Sequence, residues 1–123
     1  MAWRNVADFE IVCTRDGSHG RLPPVRAVRL CELIDRAQPA FSHRTDFKRV
    51  AIVAEGRDGY RALFSWGELF NCAGSAAVLV AYDAPECGLP SNARPFALLP
   101  CNDAATGPRY VRALRSVEVH KLW

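Results

Sequence analysis

Apolar positions along the chain fall into short runs separated by turn-forming clusters, and the spacing within each run names its element. Residues 9–13 (Phe-Glu-Ile-Val-Cys) alternate weakly and predict a short strand. Residues 14–24 contain Asp16-Gly17, Gly20 and Pro23-Pro24 and predict a loop, because glycine supplies unusual dihedrals and proline removes a donor. Val28, Leu30, Leu33, Ile34 and Ala37 keep mostly to spacings of three or four. They predict a short amphipathic helix that ends near Gln38, before Pro39. Residues 49–54 are rich in β-branched side chains and predict a buried strand. Residues 55–59 (Glu-Gly-Arg-Asp-Gly) form a hairpin turn, and 60–65 read as its return strand. Ser65 and Glu68 make the Ser-x-x-Glu signature of a capped helix start, here a short helix through about Asn71. Further strands are expected over 76–82, 96–99 and 110–119, with loops at 83–95 and 102–108.

Strands do not alternate regularly with helices, so a doubly wound parallel sheet does not fit. The expected fold is α+β: a single domain over residues 1–123, of mixed, mostly short strands with two or three short helices. The loops at 14–24, 83–95 and 102–108 are where function is sought.

Composition narrows the classes. At 123 residues, half apolar and 24% charged, the chain is an ordinary globular one and can bury roughly two-thirds of its unfolded surface. The longest apolar run, residues 76–82, is far short of the roughly twenty that a membrane-spanning helix needs, so no membrane span is expected. No apolar leader follows Met1, so no secretory signal is read, which leaves both cytoplasm and periplasm open. Sixteen basic against thirteen acidic residues give a net charge of +3. The arginines are scattered rather than striped, which argues for a solvated surface and against nucleic acid. Five cysteines (13, 31, 72, 87 and 101) cannot all pair within one chain, and no C-x-x-C occurs. With His19, His43 and His120 dispersed, no zinc spacing emerges. Phosphate loops, dinucleotide fingerprints and hydrolase elbows are absent.

Four blocks in order carry a resemblance. Residues 28–37 (Val-Arg-Leu-Cys-Glu-Leu-Ile-Asp-Arg-Ala) resemble the "G-x-x-L-x-D-L-L-x-x-A" helix of the sulfite oxidase family. Residues 53–60, with Asp58-Gly59-Tyr60, followed by Phe64-Ser65, are similar to its "DGY" hairpin. Residues 78–82 (Val-Leu-Val-Ala-Tyr), then Gly88-Leu89-Pro90, resemble its "LLAY…G-x-x-LP" segment. Residues 95–100, 107–114 and 117–119 resemble "P-x-R-x-x-x-P…G-x-R-x-V-K-W-L-x-x-I-x-V". Each block is weak alone, but their order and spacing are specific, and they span 28–119. The chain thus resembles a short form of the family's molybdopterin-binding oxidoreductase domain, and that domain's fold is what the resemblance implies.

The resemblance also implies a site. Cys13 stands where the family places its thiolate ligand to molybdenum, although Cys13-Thr14-Arg15-Asp16-Gly17 departs from the family's Cys-Ala-Gly-Asn-Arg. Tyr60 matches the catalytic tyrosine, whose phenol donates a hydrogen bond to an oxyanion or moves a proton. Arg109 and Arg112 fall on basic positions near the pterin and its phosphate, for which a planar guanidinium is suited. Arg94 lies near the loop where the family often has His-Gly, and His19 in the early loop is a further candidate for anion binding. The family tryptophan is Ala113 here. For each residue a plainer reading stands beside this one: a buried cysteine, a hairpin aromatic, a solvated arginine face.

Two functions follow. One is a molybdopterin-binding oxidoreductase that transfers an oxygen atom on a small oxyanion and passes electrons to a separate acceptor protein. The other is a cofactor-free binding or accessory module that keeps the fold and takes a small anion or a partner protein. An exposed Cys13 converging with Tyr60 and Arg109 on one cleft favours the first; a shallow cleft or an inward Cys13 favours the second.

Overall fold

Val78-Leu79-Val80-Ala81 and Ala97-Leu98-Leu99-Pro100 are buried at every position, the pattern of strands covered on both faces. The structure of the protein, a computed structural model, describes residues 3–13, 17–43, 45–83 and 96–123, without the side chains of 17–19. In chain order the elements are β1 (Trp3–Val6), β2 (Phe9–Cys13), β3 (Gly17–Leu22), β4 (Val25–Arg29), α1 (Leu30–Ala37), β5 (Val50–Gly56), β6 (Arg61–Ser65), α2 (Trp66–Phe70), β7 (Val78–Ala81), β8 (Ala97–Pro100) and β9 (Leu114–Lys121). Short 3-10 turns stand at Asp46–Arg49, Ser75–Ala77 and Gly107–Arg109. The sheets run β1-β4-β7-β8, β6-β5-β9 and the hairpin β2-β3, and all strand pairings among the described residues are antiparallel.

The four-stranded sheet divides the interior. Val78, Val80 and Leu98 point to one face, against Leu30 and Ile34 of α1 and Ile52 and Phe64 of the three-stranded sheet. Leu79, Ala81, Ala97 and Leu99 point to the other, against Phe9, Val25 and Ala27, with Ile11, Leu22 and Tyr110 partly buried there. Because strand side chains alternate, one strand serves two cores. No helix among the described residues is long and apolar enough to cross a membrane.

The mixed, strand-dominated architecture with two short α-helices agrees with the α+β expectation. The Ser65 cap is present as expected: its Oγ accepts from the Glu68 N–H at 3.2 Å, and the Glu68 carboxylate accepts from the Ser65 N–H at 2.8 Å. Three local readings need correction. Residues 17–22, expected as loop, form β3, paired with β2 through a register shift at Ile11/Val12, with Gly20 at φ +139°. Ladder formation outweighs the turn propensity of these residues. Val28 belongs to a strand, not to the helix. Val25 and Ala27 are buried while Arg26 is exposed, a period of two, and α1 begins only at Leu30. It stops at Gln38, whose left-handed φ of 50° precedes Pro39. The last strand starts at Leu114 rather than 110, because Ala113 at φ +50° kinks the chain before it. β1 lacked a sequence signal, and its exposed side chains explain why.

Candidate functional site

The 3-10 turn Gly107–Arg109 is where four of the sequence-predicted residues, Cys13, Tyr60, Arg109 and Arg112, meet. Gly107 has no room for a side chain: a Cβ there would stand 2.7 Å from Cys13 Sγ and 3.1 Å from the Val12 carbonyl. The preceding Thr106 ties the loop to β2, since its Oγ1 accepts from the Val12 N–H at 2.9 Å and its hydroxyl donates to the Glu10 carbonyl. Cys13 is half-buried at the end of β2 with a free thiol.

Tyr60 reaches the same turn. Its hydroxyl donates to the Pro108 carbonyl. The hairpin that presents it turns at Gly59 with φ +87°, a left-handed conformation that favours glycine. Asp58 Oδ1 accepts the Tyr60 N–H at 3.1 Å, and the Tyr60 carbonyl accepts the Gly56 N–H at 2.9 Å. Gly56 is required by close approach, as a Cβ there would lie 2.8 Å from the Arg112 carbonyl.

Arg109 turns away from the Tyr60 side and is spent on the protein itself. It donates to both oxygens of Asp103 (2.9 and 2.7 Å), to Glu68 Oε1 (2.8 Å) and to the Leu63 carbonyl (3.1 Å). Its guanidinium also lies 4.3 Å from the Phe64 ring centre. The Asp103 hydrogen bond holds its proton above the ordinary arginine range, although partial burial works the other way. Partial burial pushes the Glu68 carboxyl up, but hydrogen bonds from the Ser65 N–H and Arg109 outweigh it, so Glu68 titrates below its ordinary range.

What remains open is a cleft of about 330 Å³ lined by Ile11, Asp58, Tyr60, Gly107, Tyr110 and Arg112. Its floor is fixed, because the Tyr110 ring packs on Phe9 with centroids 5.5 Å apart. Arg112 is exposed and is carried by the kink at Ala113, whose carbonyl accepts the Arg57 N–H at 2.9 Å.

Of the residues singled out from the sequence, Cys13, Tyr60, Arg109 and Arg112 therefore gather around one turn, but only Tyr60 and Arg112 line the cleft. Arg109 stands in the Gly107–Arg109 turn, and Arg112, expected within a strand over 110–119, stands instead at the kink before β9. Arg94, Cys87 and the Gly88-Leu89-Pro90 block lie outside the described residues. His19 falls in β3 rather than a loop, and its side chain is outside the description. Comparison with protein-family models, curated proteins and solved structures finds no match to this chain.

Sequence reasoning missed Asp103 and Glu68 as partners of Arg109, and Ile11, Asp58 and Tyr110 as cleft walls. Gly107-Pro108 was a usable signal, since such a pair marks a tight turn. The long-range pairings had none.

Among the described residues, the fit to a pterin and its metal is poor. Cys13 Sγ is pressed against Gly107 and does not line the cleft. Four of the five Arg109 donors are already taken. The cleft volume is at the low end of the roughly 300–1,000 Å³ typical of ligand pockets.

Proposed function

We propose that this chain is a cofactor-free binding module whose Tyr60–Arg112 cleft takes a small oxyanion. The observation that carries the reading is the shared cleft of one guanidinium and two phenol-bearing side chains, Tyr60 and Tyr110, on a rigid floor. A guanidinium offers a planar fork of donors to a tetrahedral or planar oxyanion. Tyr60 and Tyr110 both place phenols on this cleft, and a phenol can donate to an oxyanion in place of its present partner, which for Tyr60 is the Pro108 carbonyl. Asp58, on the same rim, sets the limit on charge: a singly charged or small anion is accepted more readily than a polyphosphate, whose extra charge the carboxylate repels.

The test is calorimetric titration of the chain with sulfite, sulfate and phosphate at low ionic strength. Saturable binding of at least one is expected, weakened about tenfold or more by Arg112→Ala, the loss of roughly one charge-assisted hydrogen bond. Unchanged binding in Arg112→Ala would overturn the reading.

The second reading, a molybdenum-dependent oxidoreductase, draws on one observation: Cys13 and Tyr60 approach the same Gly107–Pro108 turn. Metal and pterin content of protein made in a cofactor-producing host separates the two. Near-stoichiometric molybdenum, lost in Cys13→Ser, would install the second reading in place of the first.

A further inference from the structure

A second cleft, of about 550 Å³, lies away from the Tyr60–Arg112 cleft, between the Asp46–Arg49 turn and α2. Its walls include the rings of Phe47, Trp66 and Phe70. Trp66 stacks on Phe70 with centroids 4.1 Å apart and planes 16° from parallel. Phe41 meets Trp66 edge-on at 5.4 Å, which fixes the pair from behind. Phe47 is 40% exposed, so part of its ring is open to a ligand from solution. The polar lining includes Lys48 and Asn71. Lys48 is exposed and forms no ion pair among the described residues, whereas most other charged side chains around the three-stranded sheet are paired.

We propose that this cleft binds a small aromatic carboxylate, its ring against Phe47 and the Trp66–Phe70 pair and its carboxylate on the Lys48 ammonium. Rigid aromatic walls select a flat ring, because aromatic pairs gain from their geometry beyond the area they bury. Aromatic faces alone would also attract a cation, but the Lys48 charge on the same wall excludes one. A single cation matches a single carboxylate, and the Asn71 amide supplies one further neutral donor. The volume lies within the range of small-molecule sites.

Trp66 supplies the readout. Replacing the exposed Trp3 and Trp123 by Phe leaves it the single tryptophan of the chain. Benzoate, benzamide and cyclohexanecarboxylate are then titrated against its fluorescence. Saturable benzoate binding is expected with a dissociation constant of about 1 mM or tighter, as befits so small a ligand. Benzamide and cyclohexanecarboxylate are each expected to bind several-fold more weakly. Lys48→Gln is expected to weaken benzoate about tenfold and leave benzamide unchanged, with an unaltered circular dichroism spectrum. No saturation by benzoate overturns the proposal. So does equal binding of benzamide, which removes the role of charge, or of cyclohexanecarboxylate, which removes that of the ring. Should the tryptophan variants fail to fold, amide chemical shifts of the unaltered chain at Phe47, Trp66 and Asn71 decide the same question.

Discussion

Arg109 ties the adjoining 102–108 loop, through Asp103, to a distant stretch of chain, the contiguous β6 and α2, through the Leu63 carbonyl and Glu68. Its value lies in the fork of its donors, which reaches both Asp103 oxygens at once. Arg109→Lys keeps the charge and loses the fork, and is expected to lower unfolding free energy by about 1–2 kcal/mol. Arg109→Ala also strands two carboxylates in partly buried positions and is expected to cost about 2–4 kcal/mol. Urea denaturation midpoints check both, and a change within about 0.5 kcal/mol for the alanine variant would show the network to be ornamental. The sequence placed an arginine beside a Gly-Pro turn but carried no sign that its partners would be protein carboxylates rather than a ligand. Those partners lie 6 and 41 residues away.

α2 has only five residues, too few to persist on intrinsic propensity. It is held by its capping box and by Leu69, which is fully buried in the core. Ser65→Ala removes the acceptor for the Glu68 N–H and is expected to destabilise by about 1 kcal/mol, while Ser65→Thr retains most of the cap. Thermal unfolding of the two variants side by side checks this, and equal losses would argue against a role for the hydroxyl. The box was legible because both partners sit within three residues of each other. β3 was not, because its pairing with β2 comes from closure of the hairpin and from burial of Phe9, Ile11 and Leu22 against the far core. Local composition at Gly17 and Gly20 pointed the other way. The N-terminal end of α1 failed for a related reason: Val28 suits both a period of two and a period of three to four, and only its pairing with Trp3 and Val80 decides.

Over the whole molecule, two carboxylates couple stability to pH. Asp46 is buried beneath the end of β9. Burial pushes its carboxyl up, but the Ser42 hydroxyl and the His43 N–H, both at 3.0 Å, and Lys121 Nζ at 3.4 Å hold it below the ordinary range overall. Glu68 is depressed as well. A carboxyl whose folded pKa is depressed contributes stability that is fully present above its unfolded pKa, about 4, and lost as pH falls through the folded value. Stability is therefore expected to be level on this account near neutrality and to decline below about pH 4. Asp46→Asn should lower stability at neutral pH and flatten that acid decline. Chemical denaturation at a series of pH values measures both, and an acid arm of unchanged steepness would remove Asp46 from the account.

Features that depend on neighbours along the chain were legible before folding: the apolar runs that become β5, β7 and β8, the Ser65 cap, the Asp58-Gly59 turn and the α+β class. These follow from side-chain periodicity and backbone dihedral preference, which act over a few residues. Tertiary structure alone decided which cores the faces of β7 serve, that residues 17–22 pair as a strand, and that Arg109 faces Asp103 and Glu68 while Arg112 lines the cleft with Tyr60. Those outcomes rest on contacts between residues tens of positions apart. The free energy of such a contact depends on burial and on partner geometry, and neither exists until the chain has folded.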